Sequence, residues 1–283
     1  MTTPPPDGSR DRRIEDPSNR WFIHPTARSL LPLALRFGVP ANAVSVVGLL
    51  IGAAAAWAYV QGGTAMVLIA LLLSIGWLIA DGLDGMIARA TGTASALGRF
   101  LDGVCDHGVF VLIYLALATA IGTPGGWALA IAAGVAHGVQ SSLYEGERAR
   151  FHRRLKGVAQ VDAPAPSANP LVRWYDALAG SIGRLGRPFE IALATSPQAE
   201  RFGADYATQA VPPMRLLSLL TANVRVLAIF LACIAGRPTL FWWFEIVPLT
   251  IIAAVGLVWH RRVEHRFAAP ATSSKGDRPS FYA

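Results

Sequence analysis

Four aspartates carry most of the chemical information in this 283-residue chain. Asp81 and Asp84 lie in Asp-Gly-Leu-Asp-Gly-Met-Ile-Ala-Arg, and Asp102 and Asp106 lie in Gly-Arg-Phe-Leu-Asp-Gly-Val-Cys-Asp. Helical positions three or four apart share a face, so each pair points one way from its own helix. In two antiparallel helices of equal rise, positions whose numbers share a sum stand at equal depth. Asp81 with Asp106 gives 187, and both Asp84 with Asp102 and Ala88 with Gly98 give 186, centred on a turn near Thr93. The spacing therefore predicts four carboxylates in two matched layers. Left alone, such charges repel until some of them protonate. Divalent cations remove the conflict, and carboxylate-only ligation selects a hard ion, Mg²⁺ or Mn²⁺, with room for two. Such ions keep waters and phosphate oxygens as their other ligands, so the chemistry expected is metal-assisted transfer at a phosphate.

The elements that must hold these groups are membrane helices. The chain is 53% hydrophobic and only 15% charged, with a mean hydropathy of +0.42, whereas soluble chains carry about 25% charged residues. No Asp, Glu, Lys or Arg occurs between Arg36 and Asp81 or between Asp106 and Glu145. The expected fold is an all-α integral membrane protein with six transmembrane helices, at roughly 42–61, 65–89, 96–121, 127–148, 213–235 and 240–260. An amphipathic interfacial helix over 21–38 precedes them, with Trp21, Phe22, Leu30, Leu31, Leu33, Ala34 and Phe37 set among His24, Arg28 and Arg36. Gly38 and Pro40 end it. Residues 39–262 read as one six-helix catalytic domain, with a connection at about 155–212, between disordered tails at 1–20 and 263–283. Within that connection, 163–170 reads as a flexible Pro/Ala/Ser stretch, followed by a surface helix carrying Leu171, Trp174, Tyr175, Leu178, Ile182 and Leu185. No internal repeat is apparent.

Arginines decide the orientation: Arg10, Arg12, Arg13, Arg20, Arg28 and Arg36 precede the first span, Arg148, Arg150, Arg153 and Arg154 follow the fourth, and Arg261 and Arg262 follow the sixth. Only Arg237 lies on the other side. Both termini and the active site are thus expected in the cytoplasm, in a plasma (inner) membrane of bacterial type. The Arg-rich start lacks the apolar core of a signal peptide, so it is expected to stay. The net charge of +7 suits anionic lipid headgroups rather than nucleic acid. Cys105 and Cys233 fall inside apolar runs and read as packing residues.

Asp81 lies about 12 Å inside Arg89, within the cytoplasmic half of a hydrocarbon core about 30 Å thick. Each ionised Asp there costs at least ~2.5–3.5 kcal/mol, so water and a cation must reach it. Gly85, Ala88 and Gly98 allow close helix packing and also let a phosphate approach the backbone. Arg89 and Ser95 could hold a nucleotide's phosphate and sugar at the mouth. Two other readings stay open: helix glue through Arg89 and Arg99, and a divalent-cation or proton-coupled transport path. A membrane scaffold with a surface helix is a third.

The pattern Asp-x2-Asp-Gly-x2-Ala-Arg-x8-Gly-x3-Asp-x3-Asp, complete from Asp81 to Asp106, resembles that of the CDP-alcohol phosphotransferases. The resemblance implies that Asp81, Asp84 and Asp102 hold one metal, that Asp81, Asp102 and Asp106 hold a second, and that Asp106 is the base. It implies contacts from Gly85, Arg89 and Ser95 to the CDP moiety. Pro40-Ala41-Asn42-Ala43-Val44-Ser45 resembles a Pro-Asn-x2-Thr start of the first span, with an extra Ala and Ser for Thr, which implies cytidine contacts from Asn42 and Ser45. It also implies a CDP-alcohol lipid donor, a polar hydroxyl acceptor, CMP as product, and a homodimer.

The acceptor side is written in cations. His137, Gln140, Ser141, Tyr144 and Arg148 recur at helical spacing and could line a headgroup pocket or simply bond neighbouring helices. On a straight fifth span, Arg215, Ser218, Ala222 and Arg225 would share a face. An intramembrane Arg needs an anion, so Arg225, with Arg148 and Arg215, is expected to bind an acceptor's phosphate or the donor pyrophosphate, or else to pair with one of the aspartates. A phosphate there would make the acceptor inositol phosphate or glycerol phosphate.

Overall fold

In the computed structural model, the described residues are 11–93, 96–160 and 186–268, with 96–102 as helical backbone alone. The distal tails, Ser95, the side chain of Asp102, and the expected linker and surface helix over 163–185 lie outside the described residues. Every regular element among those described is helical. The chain divides into two compact units: Met1–Arg148 with Pro212–Gly256, and Ala149–Val211 with Leu257–Ala283.

In the first unit a π-helical turn, Asn19–Ile23, leads into α1, His24–Arg36. Ala27, Leu31 and Ala34, at four- and three-residue steps, pack against Leu83 and Ile87. Trp21, Phe22, Leu30, Leu33 and Phe37 stay exposed. The residues grouped above as one lipid-facing set therefore divide, because the small ones seat α1 on its neighbour.

Three long helices follow. α2, Ala41–Gln61, starts after the extended Pro40, α3 spans Thr64–Ala90, and α4 spans Ala96–Ile121. Gly62 and Gly63, at φ 66° and 74°, make the tight turn between α2 and α3, a conformation that side-chain-bearing residues resist. Small residues then bring the helices together. A Cβ on Gly48 would lie 3.4 Å from Ala80 Cβ, and one on Gly76 would lie 3.6 Å from Ile51. Gly52 faces Val109, and Gly108 faces Leu49, so α2 and α4 run in the same direction. Trp77 and Phe110 meet edge to face, ring centroids 5.4 Å apart.

α5 runs from Pro124 to Leu155. The fifth expected span is not one straight helix. α7, Ala199–Leu217, carries Pro212 and Pro213, gives way to a tight turn at Ser218–Leu220, and resumes as α8, Ala222–Ile234, after an extended Thr221. The two helices are bent by 43°. Prolines supply no amide to the helical ladder, and Thr221 leaves helical backbone, so the continuous face proposed for Arg215 and Arg225 is broken. The last membrane element joins α9, Thr239–Phe244, a π-helical turn, Glu245–Leu249, and α10, Thr250–Ala268.

By length and composition, four helices among the described residues can cross a membrane: Ala41–Gln61, Thr64–Ala90, Gly103–Ile121 and Thr239–Ala268. The bent pair would make a fifth. The protein is thus a helical membrane protein. α5 is not among the four, since polar Gln140, Ser141 and Ser142 and then Glu145, Glu147 and Arg148 dilute its apolar stretch.

The second unit contains the end of α5, α6 (Arg187–Thr195), most of α7 and the end of α10. Phe189, Phe202, Tyr206 and Phe267 form its aromatic core. Arg154, fully buried, donates from Nε to Glu190 at 2.8 Å and from Nη1 to Glu264, and its guanidinium lies 4.6 Å from the Phe189 ring centre.

Candidate active site

The acidic end of α3 is held from two sides. On one, α1 closes on Gly82, where an added Cβ would sit 3.4 Å from the His24 ring and 3.5 Å from Ala27. On the other, α2 delivers Ser45, whose hydroxyl donates to Asp84 Oδ2 at 2.6 Å. Both residues are buried. Asp81, one turn earlier, is half-buried and has no hydrogen-bond or ion-pair partner among the described residues. Asp106 is half-buried on α4, next to buried Cys105.

The Trp77–Phe110 contact speaks to the register of α3 and α4. Its residue numbers sum to 187, as do those of Asp81 and Asp106, so continued helices bring those two positions to one level. The motif also fits at its mouth. Arg89 folds back along α3 until Nη1 is 3.2 Å from where a Gly85 Cβ would be, so its flexible end lies over the glycine. Arg89 and Asn42 are exposed.

A carboxylate with no hydrogen-bond or ion-pair partner among the described residues, beside a second one that accepts from a hydroxyl, is a donor set suited to a hard cation. Asp81, Asp84 and Asp106 thus fit the ion that the motif implies. Asp102 would join them from the same helix as Asp106.

The acceptor-side residues have different surroundings. Arg225 is fully buried and its anion is Glu245: Nε donates to Glu245 Oε1 at 2.8 Å, Nη2 to Gln140 Oε1 at 2.9 Å, and Nη1 to the carbonyl of Leu220. Gln140 in turn donates to the Glu245 carbonyl at 2.9 Å and to Thr250 Oγ1 at 3.0 Å. The π-helical turn that begins at Glu245 is a place where a carbonyl can leave the helical ladder. His137 Nδ1 lies 3.4 Å from both Glu245 Oε1 and Tyr114 Oη. Of the polar stripe, His137 and Gln140 therefore bond neighbouring helices. Among the described residues Arg225 pairs with Glu245 and with no aspartate, and its charge is already compensated.

Arg148 pairs with Glu145 at 2.8 Å, its guanidinium 5.8 Å from the ring centre of buried Tyr144. Arg215 is exposed and donates from Nε to the carbonyl of Arg13 at 2.7 Å. The structure thus separates Arg215 from Arg225. Nearby, the chain before α1 clasps the bend: Asn223 donates to Asp16 at 3.2 Å and to Asn19 at 2.8 Å.

Glu245 escaped the reading of the sequence. Its signal was available, because Glu245 is the sole acid from 239 to 260 and Arg225 the sole charge from 216 to 236. Two lone opposite charges in successive apolar segments have each other as the natural partner.

Residues 39–157 match the family model described as CDP-alcohol phosphatidyltransferase. No curated protein matches the chain.

Proposed function

We propose, from the match of residues 39–157 to the CDP-alcohol phosphatidyltransferase family model, that the chain moves the phosphatidyl group of CDP-diacylglycerol to the hydroxyl of a small polar acceptor, releasing CMP. The observation that carries this reading is Asp81, without a partner among the described residues, beside Ser45-held Asp84, in a motif whose other acids stand on α4.

The acceptor oxygen attacks the β-phosphorus of the CDP-alcohol. A new phosphorus–oxygen bond forms there while the bond to the pyrophosphate bridging oxygen breaks, and that oxygen leaves with CMP. Asp106 takes the hydroxyl proton onto a carboxylate oxygen. A carboxylate is a weak base, so holding the hydroxyl in line supplies much of the effect. Two divalent ions, Mg²⁺ or Mn²⁺, held by Asp81, Asp84, Asp102 and Asp106, would neutralise the diphosphate and stabilise its departure. Arg89, folded over Gly85, is positioned to donate to a phosphate oxygen at the mouth, with Ser95 and Asn42 completing the CDP site.

Acceptor recognition falls to Arg148 and Arg215, whose guanidinium groups are not buried, with Tyr144 beneath Arg148. An anionic acceptor such as inositol phosphate or glycerol phosphate suits them. Arg225 and His137 instead hold the helices in place. Six membrane crossings, with α5 as the fourth and both termini cytoplasmic, form the topology we propose, along with an interfacial α1 and a homodimer.

Purified protein given CDP-diacylglycerol, Mg²⁺ and a panel of polyol and polyol-phosphate acceptors is expected to release CMP. Asp106→Ala is expected to lose that release while keeping its helical fold. CMP release that survives Asp106→Ala would remove Asp106 from the reaction.

A further inference from the structure

Ser45 sits in the first span where the family resemblance puts a cytidine contact, yet its surroundings assign it other work. It is buried on α2 and its hydroxyl has one proton. The short bond, 2.6 Å, goes to Asp84 Oδ2, whereas the helical carbonyl of Ala41 lies farther away at 3.3 Å. The backbone around it is fixed by close packing, since Gly48, one turn further on, meets Ala80 and Trp77. The same α2 also abuts α4 through Gly52 and Val109. With α2 and α4 running in the same direction, Gly52 opposite Val109 and Leu49 opposite Gly108 put Ser45 at the level of positions 102–104, within the motif stretch of α4.

We infer that Ser45 is a positioning residue for the metal site: its hydroxyl fixes the Asp84 carboxylate rather than touching the nucleotide. This rests on the metal-dependent reading above. A carboxylate oxygen has two lone pairs, so Oδ2 can accept from Ser45 and still ligate an ion. Hydrogen bonds to ligating carboxylates set their orientation, and their removal weakens metal affinity by about 10–100-fold. Cytidine contact from this span is then left to exposed Asn42, one turn nearer the mouth. The serine also belongs with a buried acid on physical grounds, because an ionised carboxylate at this depth needs a donor as well as a cation.

The test uses full-length protein in detergent with Mn²⁺ alone, free Mn²⁺ being followed by its paramagnetic resonance signal, and then donor kinetics at saturating Mn²⁺. Ser45→Ala is expected to raise the Mn²⁺ dissociation constant about tenfold or more, with the donor KM at saturating Mn²⁺ close to that of the wild type. Ser45→Thr, which retains the hydroxyl, is expected to restore the affinity, and Asn42→Ala to show the opposite split, a raised donor KM with Mn²⁺ affinity kept. If Ser45→Ala fails to fold, Ser45→Cys, similar in shape and a weaker donor, carries the same expectation. Unchanged Mn²⁺ affinity in folded Ser45→Ala, together with a raised donor KM, would overturn the inference and return Ser45 to the nucleotide. Wild-type protein that takes up no Mn²⁺ would instead remove the metal reading and this inference with it.

Discussion

The Arg225–Glu245 pair shows how a residue type can be read correctly for its need and wrongly for its partner. A guanidinium in an apolar span requires an anion. That much follows from the sequence. The identity of the anion depends on how α8 and the π-helical turn at Glu245 face each other, and no local pattern specifies this. Breaking one side leaves a buried charge uncompensated, so Glu245→Gln and Arg225→Leu are each expected to cost about 3–5 kcal/mol. Arg225→Leu/Glu245→Leu should recover much of that loss, as read by thermal unfolding in detergent. Additive losses in the double variant would mean the two side chains act independently. The expected register of the motif, by contrast, lies in spacing along two continuous helices, and the Trp77–Phe110 contact agrees with it.

Elements are placed by where backbones come closest. The contact of α2 with α4 depends on Gly52, where a Cβ would overlap Val109 Cγ2 and lie 2.6 Å from Cγ1. A β-branched valine has little rotamer freedom to withdraw. Gly52→Ala is therefore expected to destabilise by about 1–3 kcal/mol. Gly138→Ala, in open space on α5, should be neutral or stabilising by up to about 1 kcal/mol. Comparing the two melting curves checks whether close approach, rather than helix propensity, governs the site helices. Helix limits of α2, α3 and α4 agree with the hydropathy pattern to within a few residues, because apolar length and Gly turns define them. The bend between α7 and α8 was not anticipated, although Pro212-Pro213 was its signal. A hydropathy window averages over such a break, and only the missing proline amides and the extended Thr221 reveal it.

At the scale of the molecule, two units divide the work. The unit holding α2–α4 carries the motif, and the unit holding α6 has its own aromatic core and charge network. Its Glu190 is buried, which alone would raise the carboxyl, but hydrogen bonds from Arg153 and the charge of Arg154 hold it down at about 2, against an ordinary 4.5. A depressed carboxyl contributes stability that is complete above pH 4.5 and is lost as pH falls towards 2. Glu190→Gln is expected to flatten that part of the pH–stability curve, measured by tryptophan fluorescence. A curve unchanged between wild type and variant would assign the acid sensitivity elsewhere. The proposed reaction stands on one physical statement, that the α3–α4 aspartates act together on a CDP-alcohol. The direct measurement follows CDP-diacylglycerol labelled at its β-phosphorus, the one bonded to diacylglycerol, in wild type and in Asp81→Asn. The account predicts that the label passes into a new phosphodiester lipid while unlabelled CMP appears in equal amount, and that Asp81→Asn does neither. Label retained on the cytidine product, or transfer that persists in Asp81→Asn, would contradict it.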